Sequence, residues 1–206
     1  MMRNKRFGNW LQYIGLIITL CLISSFKTDV KKKTNNDNNL VTSSVWYVAG
    51  PTIENQEVIN TIRKKNSIIR VTATNSPIGE IELNVLITPS QSNDGSPTNL
   101  PEDSNFVSIT YKSSHLIKLQ AREGNEEGTG CVHGGSHPRV DLPISPDKFT
   151  TIKIPWSDFK QDGLPNGKHL NIHNLCKFNF VNYKPVAGAT LEITTVLIQN
   201  LKQSKN

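Results

Sequence analysis

Only three cysteines and two methionines occur in 206 residues, and aromatic side chains make up 7% of the chain. Cys21 falls in an amino-terminal apolar run, so at most one disulfide, Cys131 with Cys176, is available to the rest. No staple is obligatory, because a folded part of about 160 residues buries roughly 70% of its extended surface. Beyond the apolar run no 3.6-residue hydrophobic period persists for twelve positions, which argues against a helical fold. There is no internal repeat. Nor is there a Gly-x-Ser-x-Gly elbow, a phosphate-binding P-loop or a dinucleotide fingerprint, so the commonest nucleophilic and nucleotide-dependent chemistries have no local motif to stand on.

A surplus of one charge sign is also missing from the folded part. The whole chain has 23 basic and 17 acidic side chains, a net of +6, which suggests nucleic acid or an anionic membrane until the charge is located. Arg3, Lys5 and Arg6 contribute +3, and Lys27, Lys31, Lys32 and Lys33 against Asp29 and Asp37 add +2. Val41 to Asn206 then holds 16 basic and 15 acidic side chains. Without a basic face or interleaved aromatics, no nucleic-acid partner is expected.

What the amino terminus does have is the pattern of a secretory leader over residues 1–25. Arg3, Lys5 and Arg6 form the positive region, Tyr13 to Ile23 the apolar one, and Ser24 and Ser25 are small residues suited to cleavage. The apolar run is shorter than the roughly 18 to 20 residues of a membrane span; an uncleaved anchor is the alternative. Cys21 invites a lipid anchor, but Leu20 precedes it where a small residue belongs. Residues 26–40, rich in Lys and Asn, read as a solvated linker, and 41–206 as the folded domain. An exported protein is expected, whether extracellular, periplasmic or on the cell surface, with membrane contact only through an uncleaved leader or lipid anchor. In such a compartment thiols oxidise, so a Cys131–Cys176 disulfide is expected, separately buried thiols being the alternative.

Within 41–206, short alternating or β-branched runs are separated by Gly, Pro, Asn and Asp, and the spacing predicts an all-β fold. Strands are expected over Ile68 to Thr74, Glu80 to Ile87, Phe106 to Tyr111, Leu116 to Glu123, Pro138 to Leu142, Thr150 to Ile154, Lys177 to Tyr183 and Thr190 to Ile198. Such a set suits a two-sheet antiparallel jelly-roll β-sandwich. Asn55 to Lys65 fits a helical turn or a poor strand equally. Long loops fall at Pro89 to Ser104, at Gly124 to Ser136 with five glycines in thirteen residues, and at Lys160 to Leu175, which carries the turn pairs Asp162-Gly163 and Asn166-Gly167.

Thr150-Thr-Ile-Lys-Ile-Pro-Trp-Ser-Asp-Phe159 is the most specific string. Pro155 has no N–H to continue a ladder, and Trp156 and Phe159 follow three apart across a tight turn, placed to plug the edge of the core. Together with Phe106 to Tyr111, Ile117 to Arg122, Lys177-Phe-Asn-Phe-Val181 and Gly188-Ala-Thr-Leu-Glu-Ile193, this knot resembles the galactose-binding-like β-sandwich of family 11-like carbohydrate-binding modules and of the complex I intermediate-associated protein 30 domain. The resemblance spans about residues 41 to 200. It implies a scaffold more firmly than a ligand.

Alternation assigns faces. Ile117, Leu119 and Ala121 share the core side of one strand, with Lys118, Gln120 and Arg122 opposite; Phe178 and Phe180 lie opposite Lys177, Asn179 and Val181. Arg139 and Asp141 extend the polar row. A sugar presents a fixed array of hydroxyls, each donor and acceptor, and is held by planar forked groups, often with an aromatic platform below its C–H face. Arg122 and Arg139 are the candidate clamps, Gln120 and Asn179 the hydroxyl readers, Asp141 an acceptor, His133 or His137 the loop contacts and Tyr183 the platform, with Lys118 in the same row. Ordinary solvent-facing strand residues are the plain alternative.

Cys131-Val-His133-Gly-Gly-Ser-His137, with His173 and Cys176 downstream, offers nitrogen and sulfur ligands, but the spacing matches no zinc pattern and export favours oxidised cysteines. No cofactor is expected, a structural calcium ion on loop carboxylates being the open addition. Hydrolysis of a glycoside needs two carboxylates roughly 5 to 9 Å apart; Glu123, Glu126 and Glu127 sit at a strand end and in a glycine loop, and Asp141 has no evident partner. The expectation is therefore a non-catalytic module binding an oligo- or polysaccharide on one polar sheet face. A jelly-roll lyase or hydrolase on that face and a protein-interaction module are the alternatives, and the oligomeric state is left open.

Overall fold

Two antiparallel sheets enclose the core. The computed structural model describes residues 38–48, 67–73, 81–87, 96–124 and 137–201; Cys131, His133 and the Asn55–Lys65 segment lie outside them. A four-residue helix α1 (Leu40–Ser43) leads into β1 (Trp46–Val48), β2 (Ile69–Thr72), β3 (Ile81–Leu86), β4 (Phe106–Ser113), β5 (Ile117–Glu123), β6 (Pro138–Leu142), β7 (Ser145–Pro155), β8 (Lys160–Gln161), β9 (Leu175–Asn182) and β10 (Thr190–Ile198). One sheet runs β1-β3-β9-β5-β6-β8 and the other β2-β10-β4-β7. The expected two-sheet sandwich is what forms. β1 and β8 are additions: at three and two residues they are too short to show a period.

The inner faces follow the alternation. Ile117, Leu119 and Ala121 of β5 and Phe178 and Phe180 of β9 are fully buried and meet Val107, Ile109, Leu191 and Ile193 from the opposite sheet in one core. The aromatic knot closes one edge as expected. Trp156 stacks on Phe178 at 6.3 Å between ring centres, and Phe159 lies 5.8 Å from Trp156. β7 is longer than expected at both ends: it begins at Ser145, with its register against β4 shifted between Ser145 and Thr150, and runs through Pro155, whose partner is Phe106; a single 3₁₀ turn over Trp156–Asp158 follows. That turn is closed by the backbone, Phe159 N–H donating to the Trp156 carbonyl at 3.2 Å.

Tyr111 shows how a polar group is buried here: its hydroxyl donates to the Pro143 carbonyl at 2.6 Å, and burial raises its pKa. Asn39 does more. Its side-chain oxygen caps α1 at Val41 N–H (3.1 Å) and accepts from Val196 N–H (3.0 Å), while its amide donates to Thr194 O (3.0 Å). It thus acts as a strand partner for the part of β10 that β2 does not cover, where the register shifts between Ile193 and Thr195. Asn39→Ala removes all three bonds, and a loss of about 1–3 kcal/mol is expected in denaturant unfolding; Asn39→Asp, which keeps both acceptor roles, should lose less.

Candidate functional site

Register brings the polar residues of the six-stranded sheet into one line. Tyr47 faces Asn84, Asn84 faces Asn179, Asn179 faces Gln120, Gln120 faces Arg139, and Arg139 faces Lys160. A second row runs Leu86, Lys177, Arg122, and a third Glu82, Val181, Lys118, Asp141. Six of the proposed ligand residues, Lys118, Gln120, Arg122, Arg139, Asp141 and Asn179, therefore share one outward face. Tyr183, just past β9, joins them by accepting a hydrogen bond from the Gln120 amide at 2.7 Å. His137 immediately precedes β6. His133 and Cys131 fall outside the described residues.

The face has two regions of different character. At its centre Gln120, Arg122, Lys177 and Asn179 are 3%, 7%, 3% and 1% exposed, and Val181 and Leu86 are fully buried. β9 is thus buried on both sides, where a polar group without a partner is costly; Asn179 Oδ1 is buried without one. Other polar groups of the face are linked in a network: Arg122 Nη2 donates to Gln120 Oε1 (3.2 Å) and lies 3.8 Å from Glu82 Oε1, which also accepts from Asn179 Nδ2 (3.2 Å). Lys177 Nζ donates to the Tyr47 hydroxyl at 2.9 Å. Tyr47, Glu82, Asn84 and Lys177 were not named as site residues from sequence. For Glu82 and Asn84 the signal was present, since they share a face two apart on one strand.

The flank of the face is open. Lys118, Arg139, Val140, Asp141, Asp158, Asp162 and Gly163 line a recess of about 310 Å³, the lower end of the range for small-ligand sites. Lys118 Nζ pairs with Asp141 at 3.3 Å and Arg139 Nη1 with Asp162 at 3.4 Å. Asp141 and Tyr183 stay exposed. The Asp162-Gly163 pair makes the turn its sequence indicated: both residues have positive φ, 56° and 69°, and Leu164 N–H donates to Gln161 O at 3.1 Å, the geometry of a type I′ turn. This turn holds the Asp162 carboxylate over Arg139. Gly167 completes the loop, since a Cβ there would collide with the Gln161 carbonyl.

His137 lies between the two regions, 6% exposed, with its Nε2 buried and without a hydrogen-bond partner. Burial, then the positive charges of Arg122 and Lys177, lower its pKa to about 4, against a smaller opposing pull from Asp162. The unfolded chain takes up this proton near pH 6.5 and the folded chain only near pH 4. Stability should therefore fall as pH drops through that window and level off below it. A His137→Gln variant melted at intervals from pH 7 to pH 4 should show a shallower decline than the parent.

Among the described residues no three His, Cys, Asp or Glu side chains gather as a metal site. No protein-family model and no curated protein matches the sequence. Among solved structures the chain is similar to the family 11 carbohydrate-binding module of a cellulosomal cellulase of Clostridium thermocellum, with TM-score 0.50 and 18% identity over 79% of this chain and 91% of the module. It is also similar to a family 11 module from the same organism in complex with a β-1,3-1,4-mixed-linked tetrasaccharide (TM-score 0.49, 16% identity, 78% and 91% covered). A family 30 module of another C. thermocellum cellulosomal cellulase gives TM-score 0.48 at 12% identity, with 78% and 92% covered. At these identities the likeness is one of fold alone: the two-sheet antiparallel β-sandwich that the family 11 module also has.

Proposed function

We propose that this protein is a non-catalytic carbohydrate-binding module that holds an oligo- or polysaccharide at the open flank of its polar sheet face. The observation that carries the reading is the recess at the end of the cross-strand row, where Lys118 pairs with Asp141 and Arg139 with Asp162, and Asp158 adds a third carboxylate. Each pair offers a forked or point donor beside an acceptor, the combination a vicinal diol needs. Arg139, Lys118, Asp141 and Asp162 are the hydroxyl contacts in this reading, and Tyr183, exposed on the same face beside Gln120, supplies an aromatic ring. Gln120, Arg122 and Asn179 act from beneath: the Gln120 amide holds the Tyr183 hydroxyl, and Arg122 holds Gln120. Because sugar hydroxyls exchange water for protein bonds at small net gain, affinities in the micromolar to millimolar range are expected.

Of the three carboxylates in the recess, Asp141 and Asp162 each sit against a cation, which suits recognition better than proton transfer. The alternative, a lyase or hydrolase on the same face, is tested together with binding: the full chain is incubated with a polysaccharide panel, and both retention and new reducing or unsaturated ends are measured. Retention without products supports the module. Products would overturn it, and neither would shift the weight to a protein partner.

Export belongs to the same reading. The leader pattern of residues 1–25 and the Lys/Asn-rich stretch ahead of Asn39 support display of the sandwich on a tether outside the cytoplasm. A Cys131–Cys176 disulfide fits that compartment, Cys176 being fully buried at the start of β9 and Cys21 lying in the leader. Thiol titration of the exported protein in denaturant, before and after reduction, should show two additional thiols after reduction; no increase would remove the disulfide.

A further inference from the structure

We propose that one end of the sandwich is a lipid-docking surface, where three connections carry apolar side chains into the head-group layer of an anionic membrane. β4 to β5, β6 to β7 and β9 to β10 all turn at that end, since Ser113 pairs with Leu191 and Ser145, Ile117 with Leu142, and Lys118 with Val181. Of the eight large apolar side chains exposed among the described residues, five gather here: Leu116, Ile144, Phe149, Tyr183 and Val186. Single exposed apolar residues are ordinary on a soluble surface, but a gathering at one end marks a docking site. The frame beneath them is fixed. Thr190 N–H donates to the Ser114 hydroxyl at 2.8 Å, the Asn182 amide to Leu116 O at 3.1 Å, and the Tyr111 hydroxyl to Pro143 O, so each connection is tied to neighbouring strands with its apolar groups outside a core that is already closed.

The occupant is argued from charge and from the tether. Lys148 adjoins Phe149 and Lys184 adjoins Tyr183, all four exposed, and Asp147 is the one carboxylate in residues 114–116, 143–150 and 183–189. Lysine lays its stem along apolar surface and reaches a phosphate with its ammonium, and each one beside an anionic leaflet strengthens binding about fivefold. Apolar groups on three separate connections suit a fluid surface, which needs no complementary shape. The chain enters the sandwich at the other end, where Asn39 bridges Leu197, about 24 Å from Thr190 along β10 at the usual rise per strand residue. Residues 26–37 can reach about 40 Å when fully extended, so a leader held in a membrane leaves this end free to touch the same membrane. The docking does not depend on the carbohydrate reading. With this end on the lipid, the six-stranded polar face stands upright and the recess around Arg139 stays open.

Amide hydrogen exchange, read peptide by peptide, separates this contact from that of the leader. Full-length chain is bound to vesicles of phosphatidylcholine alone and to vesicles with about one quarter phosphatidylglycerol. The parent is compared with Ile144→Asp/Phe149→Asp and with Lys148→Glu/Lys184→Glu. In the parent, peptides covering 143–150 and 183–189 should exchange about fivefold or more slowly on anionic vesicles than on neutral ones, while Pro101 to Asn105, at the opposite end, should not change. The apolar double variant should lose that protection although its leader still binds, and the charge variant should exchange alike on both vesicles. Thermal melts should match the parent's, since all four side chains are exposed. Equal exchange of these peptides in the parent and the apolar variant overturns the proposal; so does protection that rises with the amount of protein per vesicle, which marks a second copy as the occupant.

Discussion

Phe178→Ala should lower the unfolding free energy by about 3–5 kcal/mol, read as a fall in the urea midpoint at unchanged slope. Phe178 is fully buried and is the floor of the aromatic knot: Trp156 lies flat on it at 6.3 Å and 13°, and Phe159 leans against it at 6.3 Å. Truncation leaves a cavity under Trp156 that the two sheets cannot close, because β9 is hydrogen-bonded on both sides, to β3 and β5. Against a total stability of about 5–15 kcal/mol for a domain of this kind, that loss leaves a marginal fold. Phe149→Ala removes a ring of the same size from the exposed edge and should change the midpoint little.

Arg139→Ala should weaken retention by the polysaccharide that binds by about tenfold or more, since hydrogen bonds to a charged group contribute about 1.5–3 kcal/mol each. Stability should hardly move. The pair with Asp162 is partly exposed on both sides, 25% and 40%, and such pairs contribute about 0–1 kcal/mol. Arg139→Lys separates fork from charge: it keeps the cation beside Asp162 but loses the bidentate geometry, so intermediate binding is expected. Isothermal titration with the best polysaccharide of the panel decides. Unchanged affinity in Arg139→Ala with a normal melt would place the ligand elsewhere on the sandwich.

Alternation made much of this legible. In β5 the period of two put Ile117, Leu119 and Ala121 on the core side and Lys118, Gln120 and Arg122 on the other, and the Pro155 to Phe159 string marked the end of β7 and the edge plug. Two things were out of reach. Register is one: that Gln120 faces both Asn179 and Arg139 depends on how three strands are aligned, and a period of two fixes a side, not an alignment. Depth is the other. The same pattern that sets Asn179 opposite Phe178 says nothing about what lies above it, so β9 reads as half-exposed although seven of its eight residues are buried. The open flank was missed for a different reason, because Asp162 comes to Arg139 only through β8, a two-residue strand held by its flanking turns.

Asn39 is bridged to Leu197, so the backbone enters the four-stranded sheet beside the place where it leaves. A short artificial connection between those two points would turn the sandwich into a closed ring. New ends could then be opened at the exposed bend around Lys184 to Gly188 without cutting a ladder, which makes circular permutants of this protein an accessible way to present its polar face from a different attachment point.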